Sequence, residues 1–272
     1  MSSAATPRPA EASPQRLGVA GWPVAHSRSP QMQNAAIAAL GLAGTWHYQR
    51  LPVPPELFEE IVRALPQQGF HGINVTIPHK QAALAIATEA TAAARAIGAA
   101  NTLTFLPGGE IAADNTDAPG LLAALPDSAA GRSVTVLGAG GTARAAVWAL
   151  AGAGAGRVSV WNRTAARAEE LADRFGAESV TTPAPADIVI NTTSVGLSGE
   201  PLGALPVDGL LVPGTTVVDF VYRQGGTELI EAAAAAGCAT VDGLELLVRQ
   251  GALSLEHWTG RQPDLDVMRA AC

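Results

Sequence analysis

The sequence contains almost no lysine, few cysteines and no long run of apolar residues. Lys80 is the one lysine among 17 basic residues, and 24 acidic residues leave a net charge of -7. An acidic chain has no positive field that could neutralise phosphates, which argues against nucleic acid or an anionic membrane surface as the main partner. Cys238 and Cys272 cannot build a disulfide framework, and no spacing typical of metal ligands occurs, so we expect a reducing compartment and no bound metal. The scarcity of lysine is informative only if the site of Lys80 needs an amine.

The rest of the composition fits a folded protein that binds a small molecule. The chain has 272 residues, of which 48% are hydrophobic and 15% charged, enough to bury the core of one large domain or two ordinary ones. Residues 1–16 are rich in alanine, proline and serine without an apolar run, which predicts a disordered tail rather than a signal peptide. No segment has the hydrophobicity and length of a membrane span. We therefore expect a cytoplasmic protein, monomeric or homodimeric, without a membrane or nucleic acid partner.

Short β-branched runs alternate with alanine- and leucine-rich helical segments along most of the chain. This pattern is typical of βαβ units and predicts an α/β fold with parallel strands. Strands are predicted at 17–20, 46–51, 72–77, 133–137, 158–161, 188–191 and 216–222, and helices at 30–40, 55–65, 81–94, 116–125, 144–152 and 244–258. The helix at 116–125 separates two such series, so the sequence predicts two domains and a final helix that could fold back on either.

A glycine-rich turn joins the fourth predicted strand to the helix that follows it. Residues 138–143 read Gly-Ala-Gly-Gly-Thr-Ala, the G-x-G-x-x-A pattern of a dinucleotide-binding turn. Gly138 permits the tight turn, Gly140 lets a pyrophosphate approach the backbone, and Ala143 is small enough for the helix to pack on the strand. A glycine-rich turn without a ligand is the simpler alternative. The strand before it and the helix after it favour a dinucleotide, bound by the free N–H groups at the helix start.

The residues after the next predicted strand indicate which dinucleotide is bound. NAD sites place an acidic residue there for the ribose 2′-hydroxyl, whereas this sequence has Asn162, Arg163 and Thr164. Arg167 follows one helical turn later. Guanidinium and hydroxyl groups suit a 2′-phosphate, which a carboxylate would repel. The alternative is that Thr164 caps a helix and both arginines are solvated. We expect NADP(H) as the cofactor.

Lys80 ends the run Asn-Val-Thr-Ile-Pro-His-Lys at residues 74–80, after a predicted strand of the first half. Pro78 suits the first turn of the helix that comes next. Asp117 lies just before the cofactor-binding half, so a cleft between two domains could bring its carboxylate to the amine. Such a pair can transfer protons, which contributes roughly 10² to 10⁴ in rate. It can equally form an inter-domain salt bridge, and the residues alone leave both interpretations open.

Several separate motifs together resemble the shikimate dehydrogenase family. They are residues 21–30 (Gly-Trp-Pro-Val-Ala-His-Ser-Arg-Ser-Pro), 74–80, 98–103 (Gly-Ala-Ala-Asn-Thr-Leu), 115–117 (Asn-Thr-Asp), 138–143, 162–164, 191–196 (Asn-Thr-Thr-Ser-Val-Gly), 242–243 (Asp-Gly) and 250–252 (Gln-Gly-Ala). Each motif is modest alone, but in this order they cover nearly the whole chain, from residue 17 to residue 260.

The resemblance implies two domains with a cleft between them. Residues 17–117, joined by 243–272, would form an N-terminal α/β substrate-binding domain, and residues 118–242 a Rossmann-type, doubly wound NADP-binding domain. The implied reaction is the reversible, NADPH-dependent reduction of 3-dehydroshikimate to shikimate in the biosynthesis of chorismate and the aromatic amino acids. One alternative is a quinate/shikimate dehydrogenase that uses NAD, which predicts an acid at 162–164. The other is a non-catalytic NADP-binding regulatory protein, which predicts loss of the proton-transfer pair or of the serines that bind the carboxylate.

The resemblance also implies roles for individual residues. Lys80 and Asp117 would be the catalytic pair. The substrate would be bound by Ser27 and Ser29 at its carboxylate, with Tyr222 close by, and by Thr76, Lys80, Asn101, Asp117 and Gln250 at its ring oxygens. The cofactor would be bound by Gly138, Ala139, Gly140, Gly141, Thr142, Asn162, Arg163, Thr164 and Arg167, and near the nicotinamide by Phe220 and Gly243.

Overall fold

The computed structural model describes residues 14–223 and 225–272, so residues 1–13 of the predicted tail lie outside the described part. Gln15 and Arg16, which the sequence analysis assigned to that tail, belong to the first strand and pair with the second. None of the helices in the described ranges combines the length and apolar composition that a bilayer-spanning segment needs.

A mixed six-stranded sheet forms the first half of the molecule. Its strands are β1 (Gln15–Gly21), β2 (Trp46–Pro52), β3 (Phe70–Val75), β4 (Glu89–Ala90), β5 (Thr102–Phe105) and β6 (Ile111–Asp114), in the spatial order β2-β1-β3-β5-β6-β4. The first three strands are parallel, as the sequence pattern predicts, whereas β5 and β6 form an antiparallel hairpin beside β3. The sequence analysis missed this hairpin because each of its strands has only four residues, the lower limit for recognising a strand pattern.

The helices of the first half are α1 (Ser29–Ala39), α2 (Phe58–Ala64), α3 (Lys80–Ile86) and α4 (Ala92–Ile97), with short 3-10 turns at Pro55–Leu57 and Leu65–Gln68. The prediction of one helix over 81–94 is wrong, because α3 ends at Ile86 and β4 intervenes before α4. Thr91 causes the second start: its backbone is extended, and its side-chain oxygen accepts a hydrogen bond from Ala94 N at 3.1 Å. It is the N-cap of a new helix.

The second half is a six-stranded parallel sheet. Its strands are β7 (Ser133–Leu137), β8 (Arg157–Trp161), β9 (Glu178–Ser179), β10 (Ile188–Asn191), β11 (Thr216–Asp219) and β12 (Ala239–Val241), in the spatial order β12-β11-β10-β7-β8-β9. Its helices are α5 (Asp117–Ala124), α6 (Gly141–Gly152), α7 (Ala165–Phe175) and α8 (Glu228–Ala235), with a 3-10 turn at Leu202–Ala204. Strand order reverses direction between β7 and β10, and doubly wound sheets bind ligands in the crevice outside the carboxyl ends of the strands at that point.

The C-terminal segment forms α9 (Gly243–Thr259) and α10 (Leu265–Ala270). The apolar face of α9, with Val248, Leu255 and Trp258, is buried in the same core as Leu17 and Val19 of β1. The final helix thus packs on the first sheet. The two sheets and the doubly wound order confirm the predicted α/β fold class, while the domain boundaries at 117 and 243 stay a prediction.

Candidate active site

A cleft of about 320 Å³ lies between the two sheets. The predicted site residues that line it are Ser27, Ser29, Thr76, Lys80, Asn101, Asp117, Thr142, Phe220, Tyr222, Gly243 and Gln250. They come from both halves of the chain, so the fold brings together groups that the sequence separates widely. The remaining predicted residues belong to the glycine-rich turn and to the segment after β8.

Lys80 and Asp117 are in direct contact in this cleft. Lys80 begins α3 and Asp117 begins α5, and Lys80 Nζ donates a hydrogen bond to Asp117 Oδ2 at 2.7 Å. The two side chains are only 11% and 7% exposed. Lys80 Nζ also donates to Thr142 Oγ1 at 3.0 Å, and Asn101 Nδ2 donates to Asp117 Oδ1 at 2.9 Å. The amine and both carboxylate oxygens are therefore held in fixed positions.

Asn101 and Gln250 extend the polar wall beside this pair. Asn101 lies just before β5 and Gln250 lies on α9, and Asn101 Nδ2 is 3.2 Å from Gln250 Oε1. The Gln250 amide nitrogen donates to Leu247 O at 2.8 Å, which fixes its orientation. Thr76 follows β3 and is partly buried at the same cleft. Amides offer both donors and acceptors, which suits neighbouring hydroxyl groups on a ligand.

Ser27, Ser29 and Tyr222 form a second polar group in the cleft. Ser27 Oγ donates to Ser29 Oγ at 3.2 Å and accepts from Ser29 N at 3.3 Å, and both serines are buried. Burial raises the pKa of the Tyr222 hydroxyl, against the opposing effect of hydrogen bonds with Ser27 and the Arg28 backbone. Tyr222 thus keeps its proton at neutral pH. Three neutral hydroxyl donors converge here, a set that can bind a carboxylate.

The glycine-rich turn opens α6 in the manner predicted. Gly138 has a φ of 116°, and a Cβ there would lie 2.4 Å from Thr192 Oγ1, so only glycine fits. A Cβ at Gly140 would meet no atom within 4 Å, which leaves room for a ligand against the backbone. Ala139, between them, is partly buried. Together with the free N–H groups at the start of α6, these residues fit the pyrophosphate of a dinucleotide.

The segment after β8 offers cations on the surface. Arg163 and Arg167 are exposed, and Asn162 Nδ2 donates to Thr164 O at 2.9 Å. Thr164 is the N-cap residue of α7, but its side chain makes no capping hydrogen bond, so the structure does not support the simpler role considered for it. Phe220 and Gly243, which were predicted to lie near the nicotinamide, both line the cleft, and a Cβ on Gly243 would lie 2.5 Å from Val221 O.

Known proteins are similar to this chain in both sequence and architecture. Family models match at residues 19–103 (shikimate dehydrogenase substrate binding domain), 121–195 (shikimate / quinate 5-dehydrogenase) and 243–272 (shikimate 5′-dehydrogenase C-terminal domain). The shikimate dehydrogenase (NADP(+)) of Paracoccus denitrificans is 43% identical over 262 residues, which cover 92% of this chain and 92% of that protein. The chain belongs to the shikimate dehydrogenase family.

Solved structures of shikimate dehydrogenases have the same fold. The enzyme from Aquifex aeolicus is 35% identical with a TM-score of 0.88, over 95% of this chain and 97% of that one. The enzyme from Thermus thermophilus in complex with NADP(H) and shikimate is 38% identical with a TM-score of 0.82, over 94% of this chain and 98% of that one. The family resemblance that the sequence motifs suggested is thereby confirmed.

Sequence analysis missed several buried groups that support this shikimate dehydrogenase site. Ser254 Oγ lies 2.8 Å from Thr102 Oγ1 and 3.2 Å from Thr116 Oγ1, and it accepts a hydrogen bond from Asn74 Nδ2 at 2.9 Å. Thr116 Oγ1 accepts from Asn101 Nδ2 at 2.9 Å and Thr102 Oγ1 donates to Asn101 Oδ1 at 3.2 Å, so this cluster fixes the Asn101 amide. The spacing held a signal for Ser254, because it lies four residues after Gln250 and therefore on the same face of the predicted helix.

Arg50 is a second group that the sequence analysis did not select. Its Nε and Nη2 donate to Ser27 O at 3.0 and 2.6 Å, which fixes the loop that carries Ser27 and leads into α1 at Ser29. The signal was a charged residue inside the predicted strand at 46–51. Arg50 places a cation close to the hydroxyl cluster, although the hydroxyls and not the guanidinium line the cleft.

Proposed function

We propose that this chain catalyses the reversible, NADP(H)-dependent reduction of 3-dehydroshikimate to shikimate. The observation that carries the proposal is the Lys80–Asp117 pair, with 2.7 Å between Nζ and Oδ2, in a cleft that has a hydroxyl cluster on one side and the dinucleotide turn on the other. The relatives named above support the same reaction. The alternatives are oxidation of quinate with NAD and a non-catalytic NADP-binding role.

Cofactor binding belongs to the second sheet. The turn from Gly138 to Thr142 would hold the pyrophosphate, and the segment from Asn162 to Arg167 would hold the 2′-phosphate, which guanidinium groups bind with two parallel hydrogen bonds. When bound, NADP(H) supplies the hydride exchange at C4 of its nicotinamide. The residue chemistry fits this role, because no carboxylate occurs between Asn162 and Arg167 to repel the phosphate.

Substrate binding involves mainly the first half, with Tyr222 contributed by the segment after β11 of the second sheet. Ser27, Ser29 and Tyr222 would bind the carboxylate by neutral hydrogen bonds, and Thr76, Asn101 and Gln250 would bind ring hydroxyls. Proton transfer is assigned to Lys80, whose amine can give a proton to the oxygen of the reduced keto group or accept it in the reverse direction. Asp117 orients that amine and binds a ring oxygen. General acid catalysis of this kind contributes roughly 10² to 10⁴ in rate.

An absorbance assay at the reduced-nicotinamide band tests the proposal. Shikimate and quinate are each paired with NADP⁺ and with NAD⁺, and we expect the highest kcat/KM for shikimate with NADP⁺. Activity confined to quinate and NAD⁺ would replace the proposed function with the first alternative. No activity with any pair, in protein that binds NADPH, would favour the non-catalytic role.

The proposal includes a cytoplasmic location and a monomeric or homodimeric state. Both fit a reaction whose substrate and cofactor are small water-soluble molecules. Light scattering on the purified chain measures the oligomeric state, and cell fractionation measures the location.

A further inference from the structure

The glycine-rich turn has different surroundings on its two sides. A Cβ at Gly140 would meet no atom within 4 Å, so this side is open to a ligand. A Cβ at Gly141 would lie 2.9 Å from Lys80 Cβ and 3.3 Å from Lys80 Cδ. Real Cβ atoms do not make contacts below 3.0 Å, so a side chain at this position would displace either Lys80 or the turn. Gly141 therefore leaves the space that the aliphatic part of Lys80 occupies.

Thr142 holds the other end of the same side chain. Its Oγ1 accepts a hydrogen bond from Lys80 Nζ at 3.0 Å, while Asp117 Oδ2 accepts another at 2.7 Å. An ammonium group has three N–H donors, so these two bonds fix the direction of the third. Thr142 is buried, which limits competition from water. The amine is thus oriented by two acceptors, one at the start of α5 and one at the start of α6.

We propose that Gly141 and Thr142 are positioning residues for Lys80, in addition to their place in the dinucleotide turn. The inference rests on the proposed function, in which Lys80 exchanges a proton with the substrate oxygen. Lys80 begins α3 beside the first sheet, whereas Gly141 and Thr142 begin α6 of the second. Helix α6, which follows the cofactor-binding turn, therefore also orients the proton donor Lys80. This orientation requires the two halves to pack against each other as they do in this structure.

Removing the Thr142 hydroxyl tests the second contact. Thr142→Val keeps the shape of the side chain but leaves Lys80 Nζ without this acceptor, and a hydrogen bond to a charged group corresponds to about a tenfold to hundredfold effect. We expect that loss in kcat for shikimate oxidation, with the KM for shikimate near wild type. The Kd of NADP⁺ should change much less than kcat, because the variant keeps the backbone N–H groups of the turn. Thr142→Ser keeps the hydroxyl and should restore kcat.

Adding one methyl group tests the first contact. Gly141→Ala should lower kcat because its Cβ displaces Lys80. The matched control is Gly152→Ala at the other end of α6, where a Cβ meets no atom within 4 Å and should change nothing. Gly140→Ala serves for contrast, since it should weaken NADP⁺ binding and leave Lys80 in place.

The single lysine allows a measurement that needs no turnover. Protein made with lysine labelled by ¹³C at Cε gives signals from a single Cε methylene, because Lys80 is the only lysine in the chain. A fixed amine should give two distinct Hε shifts, which should move and merge in Thr142→Val and Gly141→Ala but not in Gly152→Ala. If wild type oxidises no substrate, the proposed function fails, and these spectra still report whether the two residues hold Lys80.

Three results would overturn the inference. The first is a Thr142→Val variant with wild-type kcat. The second is a loss of kcat explained by a matching loss of NADP⁺ affinity, which would leave Thr142 with a cofactor role alone. The third is a Lys80 signal that is unchanged in both Thr142→Val and Gly141→Ala.

Discussion

At the scale of single residues, Lys80 is the position where having lysine rather than arginine has a chemical consequence. Guanidinium stays protonated at physiological pH, whereas an amine can exchange a proton. We predict that Lys80→Arg folds and binds NADPH but loses about 10² to 10⁴ of its turnover, the contribution of general acid–base catalysis. Steady-state kinetics give kcat, and quenching of NADPH fluorescence gives the affinity. Near-normal turnover would mean that the site needs charge and not an exchangeable proton.

Asp219, the last residue of β11, is a buried carboxylate outside the proposed chemistry. Burial raises its pKa, despite hydrogen bonds from Thr227, Val221 N and Asn191, with Thr227 Oγ1 at 2.6 Å. A raised pKa in the folded state stabilises the protein at low pH, and this contribution is lost as pH rises through that value. The free energy of unfolding of wild type should therefore fall relative to Asp219→Asn as pH rises from about 4 towards 7, since an unfolded aspartate titrates near 3.9.

Denaturant unfolding at several pH values measures the difference in free energy of unfolding between wild type and Asp219→Asn. The test depends on how this difference changes with pH and not on its absolute value. Asp187→Asn is the control of opposite sign, because hydrogen bonds from Ser133 lower the pKa of Asp187. Its contribution is lost only as pH falls below about 4, so its difference from wild type should be flat near neutrality. A flat difference for Asp219→Asn as well would show that burial does not suppress its ionisation.

The sequence predicted which residue types form the site but not how each side chain is held. Lys80, Asp117 and Asn101 came from motifs, and all three meet in the cleft. The bond between Lys80 and Thr142 could not be foreseen, because it joins residues 62 positions apart across two sheets. The sequence analysis assigned Thr142 to cofactor binding alone. Distances between side chains depend on how the halves pack, which no local pattern encodes.

At the scale of elements, periodicity predicts four of the six strands of the second sheet, missing β9 and β12, and it predicts the segment from 81 to 97 wrongly. The strands at 133–137 and 188–191 are mostly buried and mostly apolar, a composition typical of parallel strands. Nine of the 17 residues from 81 to 97 are alanine, a strong helix former, so the local sequence favours one continuous helix. The break depends on Thr91, whose hydroxyl also donates to Asp114 Oδ1 at 2.7 Å on β6. This tertiary contact overrides the local propensity.

The cap of α4 can be tested directly. Thr91→Ala removes the side-chain oxygen that accepts from Ala94 N, and loss of an N-cap of this kind lowers the free energy of unfolding by about 1 kcal/mol. Thr91→Ser keeps the oxygen and should retain most of the stability. Urea unfolding of the three proteins gives the comparison. Equal losses in both variants would assign the effect to the methyl group rather than to the cap.

At the scale of the whole molecule, the chain passes between its halves at α5 and again at α9. These two helices pack against each other, and a layer of small residues, including Ala99, Ala118 and Ala145, is buried where α6 meets the first half. The sequence predicted two α/β series and a final helix, but it did not predict which of the two halves that helix packs against. It could not predict this layer, because alanine in a helix carries no signal of which neighbour it will meet.

The continuous packing predicts that both halves unfold in one transition. A ligand that binds only the folded state at a hundred times its Kd stabilises it by about 2.7 kcal/mol, and each kcal/mol raises the Tm of a chain of this size by about 2 to 4 °C. In differential scanning calorimetry, NADP⁺ and shikimate should each move the same single peak, although their proposed contacts lie mainly in different halves. NAD⁺ at the NADP⁺ concentration is the control and should move it less, because it lacks the 2′-phosphate proposed to contact Arg163 and Arg167. Two peaks, of which NADP⁺ moves only one, would show that the alanine layer does not couple the halves.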